Sequence, residues 1–346
     1  MSLRGCLLRP VSDILIPMTR VLLALPLIVV AATGVMRAQN PAATTPDRLL
    51  QIHAVAVDRK GNAVTDLKRE ELEVWINGYR IPIETLVGVT PTTQERPGRL
   101  IVLLMDDVTV DPRMVPRVRE VGRRFVNRML PEDRMAVVLL NDGVMEITSD
   151  SSRLIRRIDG YNQTAGFLPP EHLGAQVLTT ITSLSRQMSE ASEPRKTIVA
   201  IGSGWLFDTP IPPAEAGGEV RREWLDAVRA MAGADITFYV IDPGGVGTSR
   251  AGRGTDGFAR DAGGQAFINT NDLNGAVDRI LREADNYYVI AVGDPPVGRG
   301  AGVRELDVRS RRQGVTVRAR RAIPAGRTPT GRLKPASTEI VISKGR

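Results

Sequence analysis

Two patterns of apolar residues run along this chain, and they predict two kinds of structure. Between residues 98 and 286, short stretches are apolar throughout at 100–105 and 135–140, and apolar but for one polar residue at 197–201, 236–241 and 265–268. Runs of this length with no polar alternation predict strands buried on both faces, as in a parallel sheet. The segments between them carry helical periodicity. Val115, Val118, Val121, Phe125 and Met129 share one face of a helix over 112–129. Further helices are predicted over 173–188 and 218–231, and from the capping residues Asp150 and Asp272. A short antiparallel edge is predicted at 144–148. Strand and helix alternating with short connections predict an α/β fold, a doubly wound, mostly parallel sheet of Rossmann type with helices on both faces.

The flanking segments, 49–97 and 287–321, read differently. Apolar and polar residues alternate over 50–57, 72–76, 303–309 and 315–320, which is the period of a half-buried strand. Asn77-Gly78 is a strong hairpin signal. Gln313-Gly314 predicts a second hairpin, joining 303–309 to 315–320. A lone hairpin is marginally stable, so the two flanks are predicted to pack together as one small discontinuous β module.

The termini differ again. Arg4, Arg9 and Arg20 precede an apolar stretch over 21–35, and small residues at and beyond its end, among them Ala31, Ala32 and Ala38, offer a cleavage zone. This is the pattern of an export signal over 1–38, or of a retained N-terminal anchor, with a polar linker at 39–48. About fifteen apolar residues are short for a membrane span. The segment 322–346 is rich in Pro, Gly, Thr and basic residues and is predicted to be a disordered basic tail.

Composition narrows the chemistry. The 346 residues are 42% hydrophobic and 25% charged, ordinary values for a folded protein. The net charge of +7 resides in the two termini, which leaves the body neutral. No basic stripe is interleaved with aromatics, so nucleic acid is not an expected partner. The one cysteine, Cys6, lies in the signal, which removes thiol catalysis and thiolate metal sites from a mature chain. His53 and His172 are the only imidazoles, too few for a multi-histidine zinc site.

The richest chemistry follows the first uninterrupted run. Asp106-Asp107-Val108-Thr109-Val110-Asp111 places three carboxylates and a hydroxyl at the carboxyl end of a buried strand. Open α/β sheets bind their ligands at that edge, and oxygen ligands suit a hard divalent cation. The same acids also suit helix capping before Pro112. Adjacent residues on a strand point to opposite faces, which argues against a shared-proton pair at Asp106 and Asp107. Gly202-Ser203-Gly204 lacks the outer glycines of a nucleophile elbow, and no histidine follows His172. The glycine-rich stretch 244–254 lacks the Gly-Lys-Ser/Thr ending of a phosphate loop.

These segments, in this order, resemble the von Willebrand factor A-like family, and more closely its exported bacterial "VWFA-related" branch. The resemblance covers 49–321. It is carried by Ala63-Val-Thr-Asp-Leu-Lys-Arg-Glu-Glu-Leu-Glu-Val with Asn77-Gly78, by the strand 99–107, by Leu130-Pro-Glu-Asp-Arg-Met-Ala-Val-Val, and by Arg195-Lys-Thr-Ile-Val-Ala-Ile. Ile236-Thr-Phe-Tyr-Val-Ile-Asp-Pro-Gly, Ala262-Gly-Gly-Gln-Ala-Phe and Ala284-Asp-Asn-Tyr-Tyr-Val complete it.

The family implies a metal-ion-dependent adhesion site of pattern Asp-x-Ser-x-Ser, with a loop Thr and a later Asp, which binds Mg²⁺, Mn²⁺ or Ca²⁺. This sequence departs from that pattern. From Asp106, Val108 and Val110 stand at the hydroxyl positions. From Asp107, Thr109 and Asp111 do. Thr164 is the candidate loop Thr. Ser203 stands where the later Asp is expected, with Asp208 a possible substitute and Trp205 and Phe207 beside it. The metal set implied is Asp106, Asp107, Thr109, Thr164 and Ser203, but the departures make this a degenerate site expected to hold no ion, with one bound divalent cation the alternative. No small-molecule cofactor is implied.

The function expected is an exported, non-enzymatic protein-binding or adhesion module, periplasmic or extracellular. It would meet the membrane only through its N-terminal segment. Two alternatives stand beside it. One is a metal-assisted hydrolase using Asp106 and Asp107. The other is a structural component of an envelope assembly whose basic tail engages anionic surfaces.

Overall fold

The computed structural model describes residues 49–91, 98–164, 170–203, 218–247, 253–293 and 303–324. The predicted signal, linker and tail therefore lie outside the described residues, apart from 322–324.

The chain enters through β1 (Leu49–Val57), β2 (Leu72–Ile76), β3 (Tyr79–Ile81) and β4 (Ile83–Val89). It continues as β5 (Arg99–Met105), α1 (Val115–Val126), β6 (Arg134–Leu139), α2 (Ser151–Asp159) and α3 (Pro170–Ser189). Then come β7 (Arg195–Ile201), α4 (Gly218–Gly233), β8 (Ile236–Ile241), α5 (Arg253–Asp261), β9 (Ala266–Phe267) and α6 (Leu273–Asp285). It closes with β10 (Tyr287–Gly293), β11 (Val303–Ser310), β12 (Thr316–Ala319) and β13 (Ala322–Pro324).

The five apolar runs form a five-stranded sheet in the order β6-β5-β7-β8-β9, parallel at every pairing. Every residue of β5 is buried, as an apolar run covered on both faces requires. The two faces are filled separately. Leu100, Val102 and Leu104 meet Val177, Ile181, Val228 and Phe258 from α3, α4 and α5. Ile101, Leu103 and Met105 meet Val118, Phe125, Ile158 and Ile280 from α1, α2 and α6. The predicted caps are in place. Asp150 Oδ1 accepts from Ser152 N (2.9 Å), and Asp272 Oδ1 accepts from Gly275 N (2.8 Å). The segment 144–148 contributes one antiparallel bridge, Met135 to Thr148, rather than a strand.

The flanks build two four-stranded antiparallel sheets, β12-β1-β10-β4 and β13-β11-β2-β3. They share one core of Leu50, Ile52, Val74, Ile76, Ile290, Val292 and Leu306, as the discontinuous module predicted. The Tyr288 hydroxyl donates to Val64 O and accepts from Leu67 N, both at 2.9 Å, tying the loop after β1 to β10.

Two expectations are corrected. Residues 303–309 and 315–320 do not form a hairpin. The turn at Gly314, with φ of +77°, carries the chain from one sheet to the other, so β11 pairs with β2 and β13 while β12 pairs with β1. The module also runs past residue 321, because β13 pairs with the start of β11.

Module and sheet share one contact unit, Pro46–Arg346. At their junction sits Asp261, 5% exposed at the end of α5. Burial, helped by Glu305, pushes its pKa up to about 6 against the opposing pull of Arg321 and Arg260. A carboxyl whose pKa is raised on folding costs nothing below its unfolded value and its full penalty above the folded one. Wild-type stability should therefore fall as pH rises from about 4 to about 6. Asp261→Asn should remove that loss and add about 2–3 kcal/mol at pH 7. Urea melts of both proteins at pH 4, 6 and 7.5 check this; an equal pH slope in the two would refute it.

Candidate functional site

The ladder of the parallel sheet runs one step beyond the strands. Asp106 N donates to Ile201 O (2.9 Å), Gly202 N to Ile241 O (3.1 Å) and Asp242 N to Phe267 O (2.9 Å). Asp106, Gly202 and Asp242 thus form one row across the carboxyl edge. The period of two places all three on the face of Leu104, Ala200 and Val240. β5 lies between β6 and β7, so the connections leave it in opposite directions here. That is the switch point where open α/β sheets place ligands.

Gly202 makes the row possible. A Cβ on it would lie 2.7 Å from Asp106 Cβ and 2.9 Å from Asp106 Oδ2. The missing side chain is the space into which Asp106 leans. Asp106 is fully buried. Its Oδ1 accepts from Val108 N (3.0 Å) and Thr109 N (2.8 Å), and its Oδ2 from the Thr109 hydroxyl. The turn after β5 is therefore wound around the Asp106 carboxylate.

Asp107, 2% exposed, points to the opposite face. Its Oδ1 accepts from Asn141 N (2.9 Å) and its Oδ2 from the Thr164 hydroxyl (2.6 Å). Thr164 N also donates to Asp107 O (2.6 Å). The loop 161–164 is held from both sides. The Tyr161 hydroxyl donates to Asp106 O (2.7 Å), and Arg119 from α1 donates to Tyr161 O through Nε (2.9 Å) and Nη2 (2.6 Å). Burial, and then the nearby Asp106 and Asp107 charges, raise the Tyr161 pKa above its ordinary value, which keeps the phenol a donor.

The structure thus brings Thr164 to Asp107 and Thr109 to Asp106, and places Ser203, partly buried, beside Gly202 at the end of β7. Val108 and Val110 are packed into the cores on opposite faces of the sheet. Asp111 caps the turn that precedes α1, where it accepts from Arg113 N (2.9 Å) and pairs with the Arg113 guanidinium (2.6 Å). Trp205, Phe207 and Asp208 lie outside the described residues.

Asp242 is a member of this edge that the sequence reading passed over. It is fully buried. Its Oδ1 accepts from Gly244 N (2.7 Å), and its Oδ2 has no hydrogen-bond partner among the described residues. The signal was present, since Asp242 follows the run 236–241 just as Asp106 follows 100–105. The four carboxylate oxygens of Asp106 and Asp107 each accept from a donor of this chain. Among the described residues no group of three or more His, Cys, Asp or Glu is placed to hold a metal.

No family model matches the chain, and no curated protein matches it. Among solved structures it is similar to the D319A mutant of the PilB minor pilin from Streptococcus sanguinis. That match has 10% identity and a TM-score of 0.36, over 56% of this chain and 64% of that one. It is similar to the three N-terminal domains of the type V pili tip protein Mfa5 from Porphyromonas gingivalis, at 17% identity and a TM-score of 0.26, over 45% and 26%. The SpRpn10 VWA domain is matched at 13% identity and a TM-score of 0.33, over 58% and 97%. The chain spans less than two thirds of the pilin chain and about a quarter of the pilus tip chain.

Proposed function

We propose that this chain is an exported, non-enzymatic binding module of von Willebrand A-like type. It engages a protein partner through the carboxyl edge of its parallel sheet, without a resident cation. The observation that carries this reading is the state of the acids at that edge. Asp106 and Asp107 are occupied by internal donors, which suits holding a surface in shape better than turning over a substrate. The exposed parts are Asn162 and Thr164, with Thr109 and Ser203 partly so. Hydroxyls and an amide gathered at this edge are adaptable hydrogen-bonding groups for a protein surface.

The cation-dependent form of this reading has its own support in Asp242 Oδ2, a buried acceptor with no partner among the described residues. Such an oxygen costs free energy until something satisfies it.

The experiment is capture from envelope extract on the immobilised full chain, with and without chelator, alongside titration calorimetry with Mg²⁺, Mn²⁺ and Ca²⁺. The expected result is a partner retained in chelator and lost from the double variant Asp107→Asn, Thr164→Ala, with no heat from any ion. Heat at millimolar ion together with chelator-sensitive capture would replace this reading with the cation-dependent one. Hydrolase activity abolished by Asp107→Asn would overturn both.

A further inference from the structure

At the opposite edge of the parallel sheet, the antiparallel module packs over the starts of β7 and β8 and leaves a partly open cavity of about 40 Å³. Its lining is cationic. Arg195 opens β7, Arg318 lies in β12, Arg320 follows it, and His53 comes from β1; Asp235 and Thr237 complete the wall.

The partners of these groups can be accounted for one by one. Arg318 pairs with Glu283 and donates to Gln265 Oε1, and Glu283 also accepts from the Tyr239 hydroxyl at 2.8 Å. His53 Nδ1 pairs with Asp235. Arg320 donates to Ile236 O (2.6 Å) and more loosely to Met231 O (3.4 Å), while its Nη1 is buried without an acceptor among the described residues. Both carboxylates are thereby engaged.

Arg195 remains. It is 4% exposed, and its guanidinium stacks 4.9 Å from the centre of the Tyr287 ring. Its Nε is buried without an acceptor, and no ion pair satisfies it among the described residues. A ring face offsets part of a cation's desolvation but supplies no acceptor for five N–H donors. A buried guanidinium beside two others, whose nearby acid Asp235 is already paired with His53, is a costly arrangement. Burial, with Arg195 adding to it, has already pushed the Arg320 pKa down to about 10 in spite of Asp235.

We propose that this cavity binds one small tetrahedral oxyanion of the phosphate or sulfate type, seated on Arg195 with Arg320 and Arg318 beside it. Size sets the class. Each enclosed water needs roughly 10–15 Å³ on the same measure, so the space takes about three waters or one small oxyanion, and no nucleotide or sugar. Planar guanidiniums match phosphate oxygens two at a time. The bound anion would bridge β1, β7 and β12, and so fasten the antiparallel module to the sheet. This site lies at the other edge from the proposed partner face and stands or falls independently of it.

The test is thermal unfolding and calorimetry of the full chain in sodium phosphate, sodium sulfate and sodium acetate, against sodium chloride of equal ionic strength. With phosphate tenfold above its Kd, the expected Tm rise is about 2–3 °C over chloride. Sulfate should follow, and acetate should do little. Arg195→Met should be at least as stable as wild type in chloride, because an unsatisfied cation is gone, and should lose the phosphate response. No shift beyond chloride in wild type, with no calorimetric binding, would overturn the proposal. So would an Arg195→Met protein that keeps the full shift. If that variant fails to fold, ³¹P line broadening of phosphate by the wild-type chain, reversed by sulfate, decides alone, and an unbroadened line refutes the site.

Discussion

Asp133→Ala is expected to lower stability by about 3–5 kcal/mol, one of the two largest single losses foreseen in this fold. Asp133 is 1% exposed, and the Arg99 side chain it faces is 4% exposed. The pair is bidentate, with Arg99 Nε donating to Asp133 Oδ1 (3.0 Å) and Arg99 Nη2 to Oδ2. Asp133 also accepts from Arg99 N (3.1 Å) and Leu130 N (2.9 Å), while Arg99 Nη1 reaches Asp285 Oδ1 at the end of α6 (3.0 Å). Removing the carboxylate leaves the buried guanidinium with Asp285 alone and strands two backbone donors, whose desolvation is then uncompensated.

The sign with pH follows from the same contacts. Burial alone would raise the Asp133 pKa, but the Arg99 hydrogen bonds outweigh it and hold the carboxyl below its ordinary value. Its contribution is therefore complete above the unfolded carboxylate pKa near 4 and is lost as pH falls through the lower folded value. Urea denaturation should show Asp133→Ala converging on wild type in acid. The double variant Arg99→Met, Asp133→Leu should recover the part of the loss at pH 7 that comes from the unpaired charge, while Arg99 N and Leu130 N stay without their acceptor. A double variant no better than the single one would show that the pair does more than offset its own burial.

How far the sequence discloses this molecule depends on the range of each interaction. The five parallel strands were legible because a strand covered on both faces has to be almost wholly apolar, as 100–105 is throughout and 236–241 is apart from Thr237. The caps at Asp150 and Asp272 were legible because a cap acts within three residues of itself. The misassigned hairpin shows the limit. Alternation over 303–309 and 315–320 tells which side of each strand is buried, but it does not tell which strand lies beside it. At Gly314 the choice went to β1 and β2, both more than 200 residues earlier. The edge residues followed the same rule. Asp106 was readable from its strand, whereas the Tyr161 and Thr164 contacts close over loops of more than fifty residues. The Arg195 cavity carried no local signal at all, since its cations come from β1, β7 and the β12 region and meet only after the module docks.

Asp106→Ala should cost about 2–4 kcal/mol and abolish partner binding, and Asp106→Asn separates the two effects. In the alanine variant, Val108 N and Thr109 N lose their shared acceptor, and each unsatisfied buried donor costs about 1–3 kcal/mol. Relief of a buried charge offsets part of that sum. The amide introduced by Asp106→Asn would keep an oxygen for both backbone donors, while the Thr109 hydroxyl can rotate from donating to accepting. The stability of that variant should therefore stay within about 1 kcal/mol of wild type. If the partner reads the shape of the edge, Asp106→Asn should still be captured from envelope extract. If the partner or a cation reads the charge, Asp106→Asn should fail to bind while melting normally. Gly202 gives the steric counterpart. A methyl group there pushes on Asp106 Cβ and Oδ2 without changing the charge, so Gly202→Ala that binds normally would mean that neither the position of Asp106 nor the winding of its turn matters to the partner. Loss of binding in Gly202→Ala and Asp106→Ala, with binding kept in Asp106→Asn, would make the wound turn itself the recognised feature.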